Sequence, residues 1–240
     1  MANARWRPSA ICCLLFAAML LAIDTATRSI SLALYDGVSV VAESSWRCAD
    51  HHTVELAPNT ALMMKRAGVE PARLQGIAVA LGPGSYTGLR IGLGLAKGLA
   101  LANNLPLMGV PTFEILMRAQ PPQAEKVVAV IQAGRGRVTA AVYHWSGKEW
   151  RMQGEARVLD WAALAAEIVE PAVVCGEVDA AGHEALRKLK GRVTLASPAQ
   201  SLRRAGWLAE IGWERLRRQR FDDPMTLAPL YGGQPEGAVA

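Results

Sequence analysis

Cysteine is scarce in this 240-residue chain, and the four present, Cys12, Cys13, Cys48 and Cys175, show no C-x-x-C spacing. That speaks against a disulfide framework or a cysteine-built zinc site and fits the reducing cytoplasm. A membrane-spanning run is also missing, because the apolar stretch from Ala10 to Ile23 is shorter than the roughly 20 residues a helical span needs. Charge of one sign is nowhere concentrated into a basic arm. The formal net charge is +5, and with 10 of 26 cations and 7 of 21 anions in residues 1–120, both halves carry a small positive excess. The densest cluster, Arg215 to Arg220, lies near the end of an expected helix, where cations favour the helix dipole. It reads as a solvated helix end rather than a nucleic-acid site. Three familiar motifs are absent too. No Gly-Lys-Ser/Thr occurs, which excludes a P-loop. Gly82-x-Gly84 has Thr87 where the dinucleotide fingerprint needs its third glycine, and Pro83 and Thr87 flank Ser85 where a nucleophile elbow needs glycines.

What is present centres on Gly82 to Thr112. A β-like run, Ile77 to Leu81, feeds a loop with Gly82, Pro83, Gly84 and Gly88, followed by a long apolar helix and a short β-like run, Leu107 to Val110. Glycines at a strand-to-helix junction let backbone N–H groups converge, and the helix start adds partial positive charge, the build of an anion cradle. A tight turn with glycines for close packing is the competing reading, and the loop alone does not decide between them.

The chain start has its own ambiguity. Arg5 and Arg7 ahead of the apolar run look like an export signal, but Leu20–Thr25 reads as a core strand with no small-x-small cleavage site before it. Residues 1–18 are therefore read as an upstream extension, with the folded unit beginning at Met19. From there, Leu20–Thr25, Ser29–Tyr35 and Val38–Trp46 are expected strands, the first two residues of the turn Asp36-Gly37 marking a hairpin. Asp50 is the expected N-cap of a helix from His51 to about Ala67. Leu74–Leu81, the glycine-rich helix and Leu107–Val110 complete a lobe over residues 19–110. Pro111 and Pro121-Pro122 mark a boundary zone, and the order then partly repeats over 111–240. Strands are expected at Lys126–Gln132, Gly136–Trp145, Glu149–Leu159, Ala172–Cys175 and Val193–Ala196. Helices are expected from Asp160 to Val169, Asp179 to Leu189 and Ser201 to Arg220. This is an α/β chain of two tandem ribonuclease-H-like lobes with central mixed sheets.

Met19 to Thr27 (with Asp24-Thr25-Ala26-Thr27 at its end), His52-Thr53, Gly82 to Gly92 and Gly98-Leu99-Ala100 together resemble the bacterial TsaB (YeaZ) family, closely as far as about Leu116 and more loosely to Tyr231. The resemblance implies the two-lobed actin-like ATPase fold and a non-catalytic partner subunit. It would serve a catalytic homologue, TsaD, and an ATPase, TsaE, in forming threonylcarbamoyladenosine beside the anticodon. The complex reaches tRNA, no membrane is involved, and the free chain is open to monomer or homodimer. It also implies that Asp24, Thr25, Gly82, Gly84, Ser85, Thr87, Gly88 and Arg90 are relics of a phosphate loop. No cofactor is required, with residual ATP or ADP binding left open. The helical H-x-x-x-H metal pair of the catalytic homologue is missing, since His51 has Glu55 and His52 has Leu56 at that spacing; no metal site is expected, and His144 and His183 have no local partner. Two helices would form the partner interface, through Val54, Ala57, Ala61 and Met64 on one and Gly88, Gly92, Leu95 and Leu99 on the other. They would bury on the order of 1,600 Å² in total. Two departures from the family stand out: Gln132-Ala133-Gly134-Arg135 replaces Asp-Ala-Arg, and Tyr231 is followed by Gly232-Gly233 rather than x-Arg. An active ATP-dependent transferase of the same fold is the rival reading. A peptidase is disfavoured, because no nucleophile has a base at hand.

Overall fold

The structure, a computed structural model, describes residues 18–48 and 52–231. The upstream extension up to residue 17, the N-cap assigned to Asp50, and His51 lie outside the described residues. The first half runs β1 (Met19–Asp24), β2 (Ser29–Tyr35), β3 (Val40–Arg47), α1 (His52–Arg66), β4 (Leu74–Gly82), α2 (Tyr86–Asn103), β5 (Leu107–Pro111) and α3 (Thr112–Arg118). The second half repeats that order as β6 (Lys126–Gly134), β7 (Arg137–Trp145), β8 (Trp150–Asp160), α4 (Trp161–Glu167), β9 (Ala172–Gly176), α5 (Ala180–Arg187), β10 (Val193–Leu195) and α6 (Ala205–Arg217).

Each half builds one five-stranded sheet, ordered β3-β2-β1-β4-β5 and β8-β7-β6-β9-β10. In both, the first three strands form an antiparallel meander and the last two add in parallel. The duplicated order is the two-lobed α/β layout expected from the sequence. Strand β1 is buried along its whole length, so both of its faces must be apolar. Leu21 and Ile23 point to the core under α1 and α2, while Leu20 and Ala22 point to the other face.

That other face is covered from far along the chain. Helix α6 packs across β1, β2, β4 and β5 of the first sheet. The sheet meets it with small side chains, Ala22, Ala33, Ala78 and Ala80, which admit a close helix. At Gly212 the approach is so close that a Cβ would stand 2.5 Å from that of Ala78. Reciprocally, α3 of the first half puts Phe113, Leu116 and Met117 into the core under the second sheet, with Val127, Ala129 and Ile131. Each half thus lends its last helix to the other.

Two differences from the sequence reading share a cause. Helix α3 falls in the zone read as a boundary; it is only seven residues long, too short for a period to show, and is stabilised by burial of Phe113, Ile115, Leu116 and Met117. Helix α6 begins at Ala205 rather than Ser201. Bonds to the first lobe anchor its first turn there. Arg204 pairs with Glu43, the Ala205 N–H donates to Ser31 Oγ at 2.8 Å, and the Gly206 N–H donates to Glu43 Oε1 at 2.8 Å. Side chains of β2 and β3 therefore satisfy the open amides of α6, a capping that local sequence does not encode.

Leu208, fully buried in the α6 seam, reports on this exchange. Leu208→Ala is expected to cost about 2–5 kcal/mol in urea-induced unfolding followed by circular dichroism. A loss well under 1 kcal/mol would mean that α6 does not seal the first sheet.

Candidate functional site

The hairpin turn after β1 and the glycine loop before α2 meet at the centre of the molecule. Their glycines are needed for contact between backbones. A Cβ on Gly84 would lie 2.1 Å from the Ala26 carbonyl oxygen, and one on Gly88 2.3 Å from that of Thr25. The Ser85 N–H donates to Ala26 O at 2.6 Å, and Thr25 Oγ1 donates to Gly88 O at 2.7 Å. Ser85 then caps α2, its hydroxyl accepting from the Gly88 N–H. Gly82 is closed off in the same way, since a Cβ there would meet Leu230 O at 2.1 Å while the Leu230 N–H donates to Leu81 O. The two loops thus bond directly to each other.

Asp24 is equally occupied. It is fully buried, accepts the Ala26 N–H at 2.9 Å through Oδ1, and accepts Arg203 Nε at 3.1 Å through Oδ2. Arg203 is itself almost wholly buried and spans the two lobes. Its Nη1 donates to Glu177 Oε1 at 2.8 Å, and its Nη2 to Thr27 Oγ1 at 2.7 Å. Glu177 also accepts from the Thr27 hydroxyl and from the Gln132 N–H. The Gln132 amide donates to the Glu177 carbonyl at 3.0 Å and to Asp179 at 3.2 Å. Gln132, a departure from the family pattern, is thus an internal tie between β6 and the start of α5.

Burial by itself would raise the Glu177 carboxyl, but the Arg203 charge and the bonds from Thr27, Arg203 and Gln132 more than offset it and hold it below the usual range. For Arg203, burial would lower the guanidinium, and the two carboxylates more than reverse that. A metal-bound nucleotide does not fit these residues. The carboxylate that would face the metal is paired with an internal cation, and the loop glycines Gly82, Gly84 and Gly88 are packed against the backbone at Leu230, Ala26 and Thr25. Among the described residues no group of three His, Cys, Asp or Glu could hold a metal ion. Glu55, four positions after His51 in the sequence, accepts a 2.7 Å bond from Trp46 Nε1. Burial pushes the Cys175 thiol up to about 12, so it is no nucleophile at neutral pH.

The structure separates the eight expected interface residues. Val54, Ala57 and Ala61 stand exposed on α1, Val54 at 68%. Met64 is buried in the core beside Leu56 and Met63. On α2, Leu95 and Leu99 are half-buried against the lobe's own core. Gly88 and Gly92 face inward and are not available to a partner: a Cβ on Gly92 would lie 2.1 Å from Thr25 Oγ1. The outward glycines are Gly94 and Gly98, with open space beside both. Together with the exposed Leu62 and Leu101, they leave an apolar, small-residue surface on two adjacent helices. At the near end of α2, Arg90 lies 4.0 Å over the Tyr86 ring and its Nε donates to the Tyr231 hydroxyl at 2.9 Å, while Tyr86 and Tyr231 stack. Thr87 is exposed beside them. Sequence reasoning missed Arg203 and Glu177. No local signal marks an arginine whose partner lies 179 residues away.

The comparisons with known proteins agree with this layout. The family model described as TsaD, tRNA N6-adenosine threonylcarbamoyltransferase, matches residues 45–195. The tRNA threonylcarbamoyladenosine biosynthesis protein TsaB of Escherichia coli strain K12 is 36% identical over 138 residues, covering 54% of this chain and 59% of that protein. The TsaB protein of Bacillus subtilis strain 168 is 28% identical over 200 residues, covering 82% and 87%. Among solved structures, YeaZ from Pseudomonas aeruginosa superposes with a TM-score of 0.72 at 27% identity, over 89% of this chain and 99% of that one. Component A of the (R)-2-hydroxyglutaryl-CoA dehydratase of Acidaminococcus fermentans, at a TM-score of 0.51 and 13% identity over 83% of this chain and 99% of that one, shares the fold alone. No helix among the described residues is long and apolar enough to cross a membrane.

Two outcomes check the central cluster. Arg203→Met leaves Asp24 as an uncompensated buried charge and is expected to cost about 3–5 kcal/mol in denaturant unfolding. A loss below about 1 kcal/mol would refute the tie. Because the folded Glu177 value is depressed, its contribution is complete above the unfolded value near pH 4.3 and is lost as pH falls through the lower folded value. Stability measured from pH 7 down to 3 should drop in that acid window, and Glu177→Gln should flatten the drop.

Proposed function

The chain belongs to the TsaB (YeaZ) family, and on that premise we propose that it is a non-catalytic scaffold subunit in the formation of threonylcarbamoyladenosine on tRNA. It binds the catalytic homologue TsaD through the outward faces of α1 and α2 and acts alongside the ATPase TsaE in the cytoplasm. The observation that carries this reading is a contrast within one lobe. The corner that would hold a nucleotide is filled by the protein's own backbone and by Arg203, while two adjacent helices expose apolar and small residues.

Exposed apolar surface of this kind marks a place for another protein. Gly94 and Gly98 stand one turn apart on the surface of a helix, where each costs about 1 kcal/mol relative to alanine. Close approach of a partner helix offsets that cost, and the missing side chains are what permit it. The same face can pair with its own copy when the partner is absent. On this reading the subunit needs no nucleotide of its own. The rival reading, an active transferase, would need Asp24 free to hold a metal, and Arg203 holds it instead.

The reading is tested by Ala57→Arg and Gly98→Arg. Both sites are exposed, so each variant should melt within about 1 kcal/mol of the parent. Each should lose co-purification with the catalytic partner and, with it, threonylcarbamoylation of a tRNA transcript. Gly92→Arg is a different case, because it collides with Thr25 and should unfold the lobe. If both surface variants retain the complex, the interface lies elsewhere.

A further inference from the structure

The far edge of the second lobe carries a cluster of cations that no ion pair among the described residues takes up. Helix α5 ends at Arg187, and the turn after it leads to β10, the outermost strand of its sheet. Arg187, Lys188, Lys190 and Arg192 are all exposed, and among the described residues none of them forms an ion pair. A helix C-terminus presents about half a negative charge, too little to offset four cations within six positions. At the end of α6, Arg215 is taken up by Glu114 and by the Gly109 carbonyl, while Arg217, Arg218 and Arg220 are exposed and, among the described residues, form no ion pair.

Between α5 and β10 lies an open groove of about 510 Å³. Leu186, Val193 and Leu195 contribute its apolar lining; His183, Arg187 and Lys190 bring donors to it, with Glu184 as its one carboxylate. Cations beside an apolar floor suit a polyanion that also carries flat, weakly polar faces. That is the chemistry of RNA, whose phosphates take the arginines and lysines while a ribose or unstacked base lies on the apolar floor.

We propose that this α5–β10 groove is a direct contact for the backbone of the tRNA substrate. The inference rests on the scaffold reading above and deepens it: this chain would then hold substrate as well as partner. The groove is built on the second sheet, whereas α1 and α2 cover the first, so partner and RNA can be held together.

The test uses the full chain assembled with its catalytic partner and an unmodified tRNA transcript. Binding is measured between about 50 and 200 mM salt. Removing three of the four cations, two that line the groove and Arg192 beside it, with Arg187→Ala/Lys190→Ala/Arg192→Ala should weaken binding about tenfold or more at the low-salt end. It should also make the log–log salt dependence shallower by about two to three. Arg217→Ala/Arg218→Ala/Arg220→Ala removes the same charge from the end of α6 and should leave both quantities near the parent values. Parental affinity and slope in the groove variant, or an equal loss in the α6 variant, overturns the proposal. Failure of the scaffold reading shows separately, as two chains that do not co-purify. The groove is then judged by the same variants and transcript on the isolated chain.

Discussion

Arg203 is buried between two carboxylates that belong to different sheets, Asp24 at the end of β1 and Glu177 just after β9. A guanidinium removed from water is tolerated only when its charge and its donors are met, and here the fork geometry lets one side chain reach three acceptors at once. The two carboxylates leave one excess negative charge, which is spread over donors from Ala26, Thr27 and Gln132. Breaking any one of these strands a charge in a dry interior, so the cluster holds or fails as a unit. It fixes the ends of β1 and β9 and the entry to α6. Through them it fixes the angle between lobes that carry separate surfaces.

The glycine loop has a structural reason of its own. Backbone must approach backbone at Gly84 and Gly88 whether or not a phosphate was ever cradled there, because the hairpin carbonyls of Thr25 and Ala26 occupy the space a side chain would need. Loop glycines are therefore ambiguous as signs of nucleotide binding. The state of the neighbouring carboxylate is the better indicator. In this protein Asp24 faces a permanent internal cation, Arg203.

Much of the architecture could be read in the letters. The alternation of Ser29–Tyr35 marks β2 with its observed limits, and Asp160 and Asp179 cap the helices expected to follow them. These signals are local, and local physics decides them. The misreadings are all tertiary. Helical spacing places Gly88/Gly92 and Gly94/Gly98 equally well as small faces, and only the position of Thr25 determines that the first pair turns inward and the second outward. Likewise α3 owes its existence to an apolar pocket under the opposite sheet. Arg203 sits in Ser-Leu-Arg-Arg-Ala, which reads as ordinary solvated sequence until the fold brings Asp24 beside it.

The exchange of final helices has a temporal consequence. During translation the strands of the first sheet leave the ribosome well before Ala205–Arg217 exists, so one of its two greasy faces stays bare through the synthesis of about a hundred further residues. A nascent chain in that state is exposed to misassembly and to holdase chaperones. The molecule closes late and from its carboxyl-terminal side, and a ribosome stalled before codon 205 would release a body with an open flank.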